Sequence, residues 1–263
     1  MKISKNNIKV LATVMVLLTT AAAIAGIPAL IRHEEHASAP VAVAEAMTAT
    51  LSKEDQAILG EMYTVSHQLD SMTVYTIEGT INVKDLADST NSMTSSYMYT
   101  RSGDQAYYRL GQSEMVSLKE LYLAISHDTK DIFLFAPKQV TSPVSVPVEM
   151  QVNSLKKEGY KVTRTSSEGV VTISLNNSTH ATLREYSLTY DSTGWMRATN
   201  MRVADELHPG DRSRDKLIAI QVRKFEPGKA REELLKSGRY LQQKKGVVIP
   251  VAAMKDYEMI KDR

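Results

Sequence analysis

The 263-residue chain contains no cysteine, which excludes disulfides, thiolate zinc sites, a thiol nucleophile and a lipid-modified N-terminal cysteine. Its apolar fraction of 43% permits a sizeable core in one domain of about 200 residues once a leader is set aside. All 30 acidic residues follow Arg32, so the chain beyond it holds 28 basic against 30 acidic side chains, without the basic excess of a nucleic-acid binder.

Lys2, Lys5 and Lys9 precede an uncharged run from Val10 to Ile31. Residues 1–31 allow two readings. A cleaved signal peptide ends at a small-x-small site, here Ala23-Ile24-Ala25 or Ala37-Ser38-Ala39. An uncleaved transmembrane anchor requires about 20 apolar residues, and the run is long enough. Either reading keeps the lysines inside and carries the rest across. The expected location is therefore the periplasm, soluble after cleavage or anchored to the inner membrane through residues 10–31. Residues 32–50 read as a spacer, in which His33 and His36 lack neighbours to complete a metal site. Residues 51–263 then form a single β-rich domain.

Ser52 to Met72 predicts an amphipathic helix. Ser52 is a suitable N-cap, Glu54 and Asp55 suit the positive end of the dipole, and Ile58, Leu59, Met62, Val65, Leu69 and Met72 recur at helical spacing. The period then changes to two. Val74–Val83, Ser96–Arg101, Gln105–Leu110, Leu121–Ser126 and Asp131–Ala136 read as strands, with turn signals at Ser102-Gly103-Asp104 and His127-Asp128-Thr129-Lys130. Ile132-Phe133-Leu134-Phe135 is apolar on both faces, which predicts a central strand. A connection spans Thr141–Pro147, and Val148–Glu158 suggests a short helix closed by Gly159. Strands resume at Tyr160–Thr165, Val170–Asn176, Leu183–Tyr190, Trp195–Val203 and Leu217–Arg223. Glu232–Tyr240 suggests another short helix, and Val247–Val251 and Tyr257–Ile260 end the pattern. The expected fold is α+β: a strongly curved antiparallel sheet, or half-barrel, packed on a few helices and preceded by one N-terminal apolar helix.

Chemistry-bearing patterns are sparse. No histidine pair has the spacing of a metal-binding helix, and His127 and His208 fall in expected loops where solvation explains them. Gly111-Gln112-Ser113-Glu114-Met115 begins like a nucleophile elbow but has Met115 where the motif needs glycine. Asp205, Glu206, Asp211 and Asp215 surround Pro209-Gly210 with arginines interleaved, as in a solvated loop. Neither a catalytic site, nor a cofactor site, nor a metal site is expected. Ten methionines after Leu51 and the tyrosines at 97, 99, 107 and 108 suit irregular core filling or an adaptable apolar surface.

Tyr75-Thr76-Ile77-Glu78-Gly79 and the stretch from Ser96-Tyr97-Met98-Tyr99 to Ala106-Tyr107-Tyr108, placed after a leader and an amphipathic helix, resemble the periplasmic lipoprotein-carrier (LolA-like) superfamily, in particular its divergent Bacteroidetes-type relatives. The resemblance implies an open curved sheet closed by helices over an apolar cavity that holds acyl chains. Within such a cavity the candidate lining residues are Met98, Tyr99, Tyr108, Leu123, Leu134 and Trp195. The functional expectation is a non-catalytic cell-envelope protein that binds a lipid, a lipoprotein acyl chain or another apolar ligand. The alternative is a membrane-tethered structural or adaptor protein with an envelope protein as partner; nucleic acid is not an expected partner.

Overall fold

The computed structural model describes residues 52–144, 155 and 158–261. The leader, the spacer and most of the short helix expected over Val148–Glu158 lie outside the described residues. Helix α1 spans Lys53–His67. It begins where the sequence places its cap: the Asp55 amide donates to Ser52 Oγ at 3.0 Å. Leu59, Met62 and Val65 turn inward. The helix stops earlier than expected, because the next amides bond three residues back, Asp70 to His67 and Met72 to Leu69, and so form turns. Leu69 is nevertheless buried from that turn. Replacing Ser52 with Ala is expected to cost about 1 kcal/mol, read as a lower urea midpoint.

Twelve strands form one curved, unclosed sheet. Strands β1 (Val74–Asp85), β2 (Met93–Ser102), β3 (Gln105–Leu110), β4 (Ser113–Ser117), β5 (Tyr122–Ser126) and β6 (Asp131–Phe135) form one meander. A second comprises β7 (Lys161–Ser167), β8 (Val170–Asn176), β9 (Leu183–Asp191), β10 (Met196–Val203) and β11 (Lys216–Pro227). The two join where β1 pairs antiparallel with β11, the longest strands of the sheet. A separate hairpin is made by β12 (Leu241–Lys244) and β13 (Val247–Pro250), and β14 (Glu258–Lys261) returns to the outside of β6.

Three expectations change. The β14–β6 pair is parallel, so the sheet is not antiparallel throughout. Strand β6 stands second from one edge instead of at the centre. The expected helix over Glu232–Tyr240 is two 3-10 turns, Glu232–Leu235 and Ser237–Arg239. Beside α1, Leu155 is helical, within the span expected as a short helix.

The sheet has two differently covered faces. The inner face, against which α1 packs, carries the larger core, including Ile77, Tyr99, Met115, Ile220, Leu188 and Ile173. On the outer face a C-terminal strap from Gly228 to Tyr257 covers only the β2–β6 half, forming a second core with Tyr107, Val116, Leu123, Ile132, Leu234 and Tyr240. Two buried hydroxyls anchor this strap: Thr76 Oγ1 donates to the Lys229 carbonyl at 2.8 Å, and the Arg231 amide donates to Thr100 Oγ1 at 3.0 Å. The strap explains why Ile132 to Phe135 is apolar on both faces without being central. Over β7–β11 the outer face is polar, with Thr172 opposite Thr189 and Ser174 opposite Ser187.

Candidate functional site

Strand pairing sets one unbroken apolar row across the inner face. Phe225, Ile77, Tyr99, Tyr108, Met115, Ala124, Phe133 and Ile260 are successive cross-strand partners from β11 to β14. Cross-strand partners project on the same side of a sheet, so all eight share that face. The row is deeply buried at Ile77 and Tyr99 and opens toward the β14 edge, where Ile260 is 38% exposed. In the neighbouring row Tyr122 lies opposite Phe135, which is 36% exposed. The Phe133 and Phe135 rings stack with centroids 6.4 Å apart, and the Tyr122 ring lies 5.7 Å from that of Phe135. This end of the sheet therefore presents an aromatic rim.

Two tyrosine hydroxyls on the inner face have no hydrogen-bond partner among the described residues: Tyr97 Oη and Tyr186 Oη, in residues 2% and 4% exposed. Burial pushes both phenols well above their ordinary pKa. Three other interior tyrosines are satisfied. Tyr99 donates to the Val140 carbonyl at 3.1 Å, Tyr160 to that of Leu183 and Tyr190 to Glu61. Glu61 also accepts from Arg164 at 2.8 and 3.1 Å, joining α1 to β7. Hydrogen bonding from Arg164 is the main reason the Glu61 carboxyl titrates below its ordinary range, against an opposing contribution from burial.

The structure divides the six cavity candidates between the faces. Tyr99 and Tyr108 stand in the inner row. Trp195 joins it through a chain of rings: Trp195 to Phe225 at 4.5 Å, Phe225 to Tyr75 at 6.3 Å and Tyr75 to Tyr99 at 5.7 Å. Met98, Leu123 and Leu134 lie on the outer face beneath the strap. Sequence reasoning did not single out Met115, Phe133, Phe135 or Ile260, although the two-residue period together with the pairing register would have found them.

The polar groups drawn from the sequence have structural partners. His127 is not merely solvated: it is half-buried, with Nδ1 2.7 Å from Tyr257 Oη and Nε2 2.9 Å from Glu114 Oε1. It thereby ties the strap to β4. His67 Nδ1 lies 2.8 Å from the Tyr63 carbonyl, and His208 Nδ1 lies 3.0 Å from Asp205. Asp205 accepts from the Leu207 and His208 amides, and Asp211 accepts from Ser213. Asp215 is not a solvated carboxylate; it is fully buried, with Arg202 Nε at 2.6 Å and Arg184 Nη1 at 3.5 Å. Among the described residues no group of three or more histidine, aspartate or glutamate side chains is placed to hold a metal ion. Among the same residues no helix is long and apolar enough to cross a membrane. A groove of about 430 Å³ crosses β1, β11, β10, β9 and β8, lined in part by Asn82, Asn200, Ser174, Ser187, Lys84 and Arg202. Met201, Leu217 and Ala219 line it as well, so polar and apolar side chains are mixed there, unlike in the inner row.

No family model matches the chain, and no curated protein matches it. Solved structures do. An uncharacterised conserved protein from Thermus thermophilus is 8% identical, with 80% of this chain and 100% of that one covered at a TM-score of 0.40. A LolA superfamily protein from Nitrosomonas europaea is 11% identical, covering 70% of this chain and 98% of that one at a TM-score of 0.26. A putative outer membrane lipoprotein-sorting protein domain from Vibrio parahaemolyticus is 7% identical, covering 68% of this chain and 97% of that one at a TM-score of 0.27. Two of these three likenesses carry LolA or lipoprotein-sorting names, and all three are divergent ones at the level of pattern.

Proposed function

We propose that the chain is a non-catalytic cell-envelope protein that binds a lipid or other apolar ligand against the inner face of its curved sheet. The observation that carries this reading is the apolar row that runs unbroken over eight strands to half-buried Phe133 and the exposed rim of Phe135 and Ile260. Apolar side chains left in contact with water at the end of a continuous apolar surface favour an apolar occupant by about 25 cal/mol per Å² covered. Of the candidates drawn from the sequence, Tyr99 and Tyr108, with Trp195 at the end of its ring chain, are the ones assigned to this lining. A periplasmic location, reached by cleavage or anchoring of residues 1–31, belongs to the same reading. The two unpartnered tyrosine hydroxyls support it, since an unsatisfied buried donor costs about 1–3 kcal/mol and a ligand carbonyl would satisfy one.

Mass spectrometry of organic extracts from the purified protein tests this. Lipid is expected in the extract. In the stripped protein Tyr97→Phe is expected to be neutral or to stabilise by about 1 kcal/mol, because it removes a hydroxyl that has no partner. The same substitution is expected to lower the amount of lipid retained. Extracts consistently free of lipid, with no uptake on incubation, would end this reading in favour of a tethered adaptor.

A further inference from the structure

The C-terminal strap is more basic than the chain beyond Arg32 as a whole. From Lys229 to Tyr257 it holds seven basic residues and three acidic ones, a net of +4, whereas the chain beyond Arg32 has a net of −2 as a whole. Arg231 is engaged with Glu78 and Glu226. Lys236, Arg239, Lys244, Lys245 and Lys255 are exposed and make no ion pair among the described residues.

The β12–β13 hairpin presents two of these lysines at a rigid tip. Lys244 pairs with Val247, and the connecting Lys245 and Gly246 have φ of 52° and 79°. Positive φ at both central residues gives the tight turn whose twist matches paired strands. A Cβ added at Gly246 would meet nothing within 4 Å, so the tip stands in open space. Alternation along β13 turns Val248 toward the strap core and leaves Val247 and Ile249 on the other side, with Val247 55% exposed. The hairpin thus combines an exposed apolar side chain with unpaired lysines on a protruding turn.

We propose that this tip docks on an anionic lipid bilayer, with Lys244 and Lys245 at the headgroup phosphates and Val247 at the interface. Charge complementarity selects an anionic surface. The small size of the tip selects a bilayer over a protein partner, because a stable protein interface buries about 800 Å² on each side, while a lipid surface is engaged by a few basic and apolar side chains. The proposal is independent of the inner-face ligand, since the hairpin belongs to the other face.

The absence of cysteine makes single-site labelling straightforward. The full chain carrying Val247→Cys with a nitroxide is mixed with vesicles of phosphatidylcholine alone or with one part in three phosphatidylglycerol, and a parallel sample carries the label at Thr172→Cys. With phosphatidylglycerol present, the label at 247 is expected to lose collisions with an aqueous nickel chelate and gain collisions with oxygen, and the label at 172 is expected to stay in water. Any anchoring by residues 10–31 is common to both lipid mixtures and both labels. Adding Lys244→Glu and Lys245→Glu is expected to raise the vesicle concentration for half-maximal immersion about tenfold or more, given about fivefold per basic residue near such a surface. Equal exposure at 247 in both mixtures overturns the proposal, as does an equal change at 172; an acidic protein partner would give the first of these results.

Discussion

Asp215→Ala is expected to lower the stability of the domain by about 3–5 kcal/mol, read as a large drop in the urea midpoint at neutral pH. Asp215 is fully buried at the start of the seam strand β11 and faces Arg184, which is only 2% exposed, and Arg202. Removing the carboxylate strands the Arg184 guanidinium in the interior with the Pro209 carbonyl as its remaining bonded partner. A buried charge without its counter-ion is far more costly than the intact pair is helpful. Arg202 is the contrasting case. Its side chain is 21% exposed and also approaches Glu185 at 3.5 Å, so Arg202→Ala is expected to cost about 1 kcal/mol. Replacing both buried members, as in Arg184→Met with Asp215→Leu, should recover most of the loss. A loss below about 1 kcal/mol for Asp215→Ala would show that water reaches the pair.

Gly79→Ala is the second large effect, at about 3 kcal/mol or more. A methyl group there would lie 1.9 Å from the Gln221 carbonyl oxygen and 2.7 Å from the Tyr97 ring and hydroxyl. The first contact is the decisive one. The tyrosine can rotate, but the carbonyl belongs to β11 at the seam between the meanders, beside the register shift at Glu78 and Gly79. The added cost of Gly79→Ala should therefore persist in a Tyr97→Ala background, as measured by a double-mutant cycle in urea. Disappearance of the penalty in that background would assign it to the tyrosine.

Much of the sheet is legible in alternating residues. Val74 onward, Gln105–Leu110, Val170–Asn176 and Leu183–Tyr190 each follow the two-residue period closely enough to set strand limits within a residue or two. What fails is local. Strand β4 is only five residues, and its Ser-Glu-Met-Val-Ser sequence offers too few repeats to declare a period. Around Glu232–Tyr240, Leu234 and Leu235 suggest a helical face, but both are buried from a single 3-10 turn, and Gly238 follows at once. The double-sided run at Ile132–Phe135 is read correctly as covered and wrongly as central, because the cover is a strap more than 90 residues later in the chain. The candidate site is harder still. Alternation states that Met98 and Tyr99 point oppositely; it cannot state which of the two faces α1, since that depends on packing against residues distant in sequence.

The pairing of β1 with β11 has a consequence for how the chain reaches its native state. Tyr75 lies opposite Pro227, yet each meander on either side is closed by short hairpins between sequence neighbours. Short closures are entropically cheap and long ones dear, so the two wings can assemble early while the midline is stitched only after β11 has emerged. Until then both seam strands present unpaired amides and carbonyls to any neighbouring molecule. The vulnerable moment in biogenesis is thus the interval before the centre of the sheet is closed.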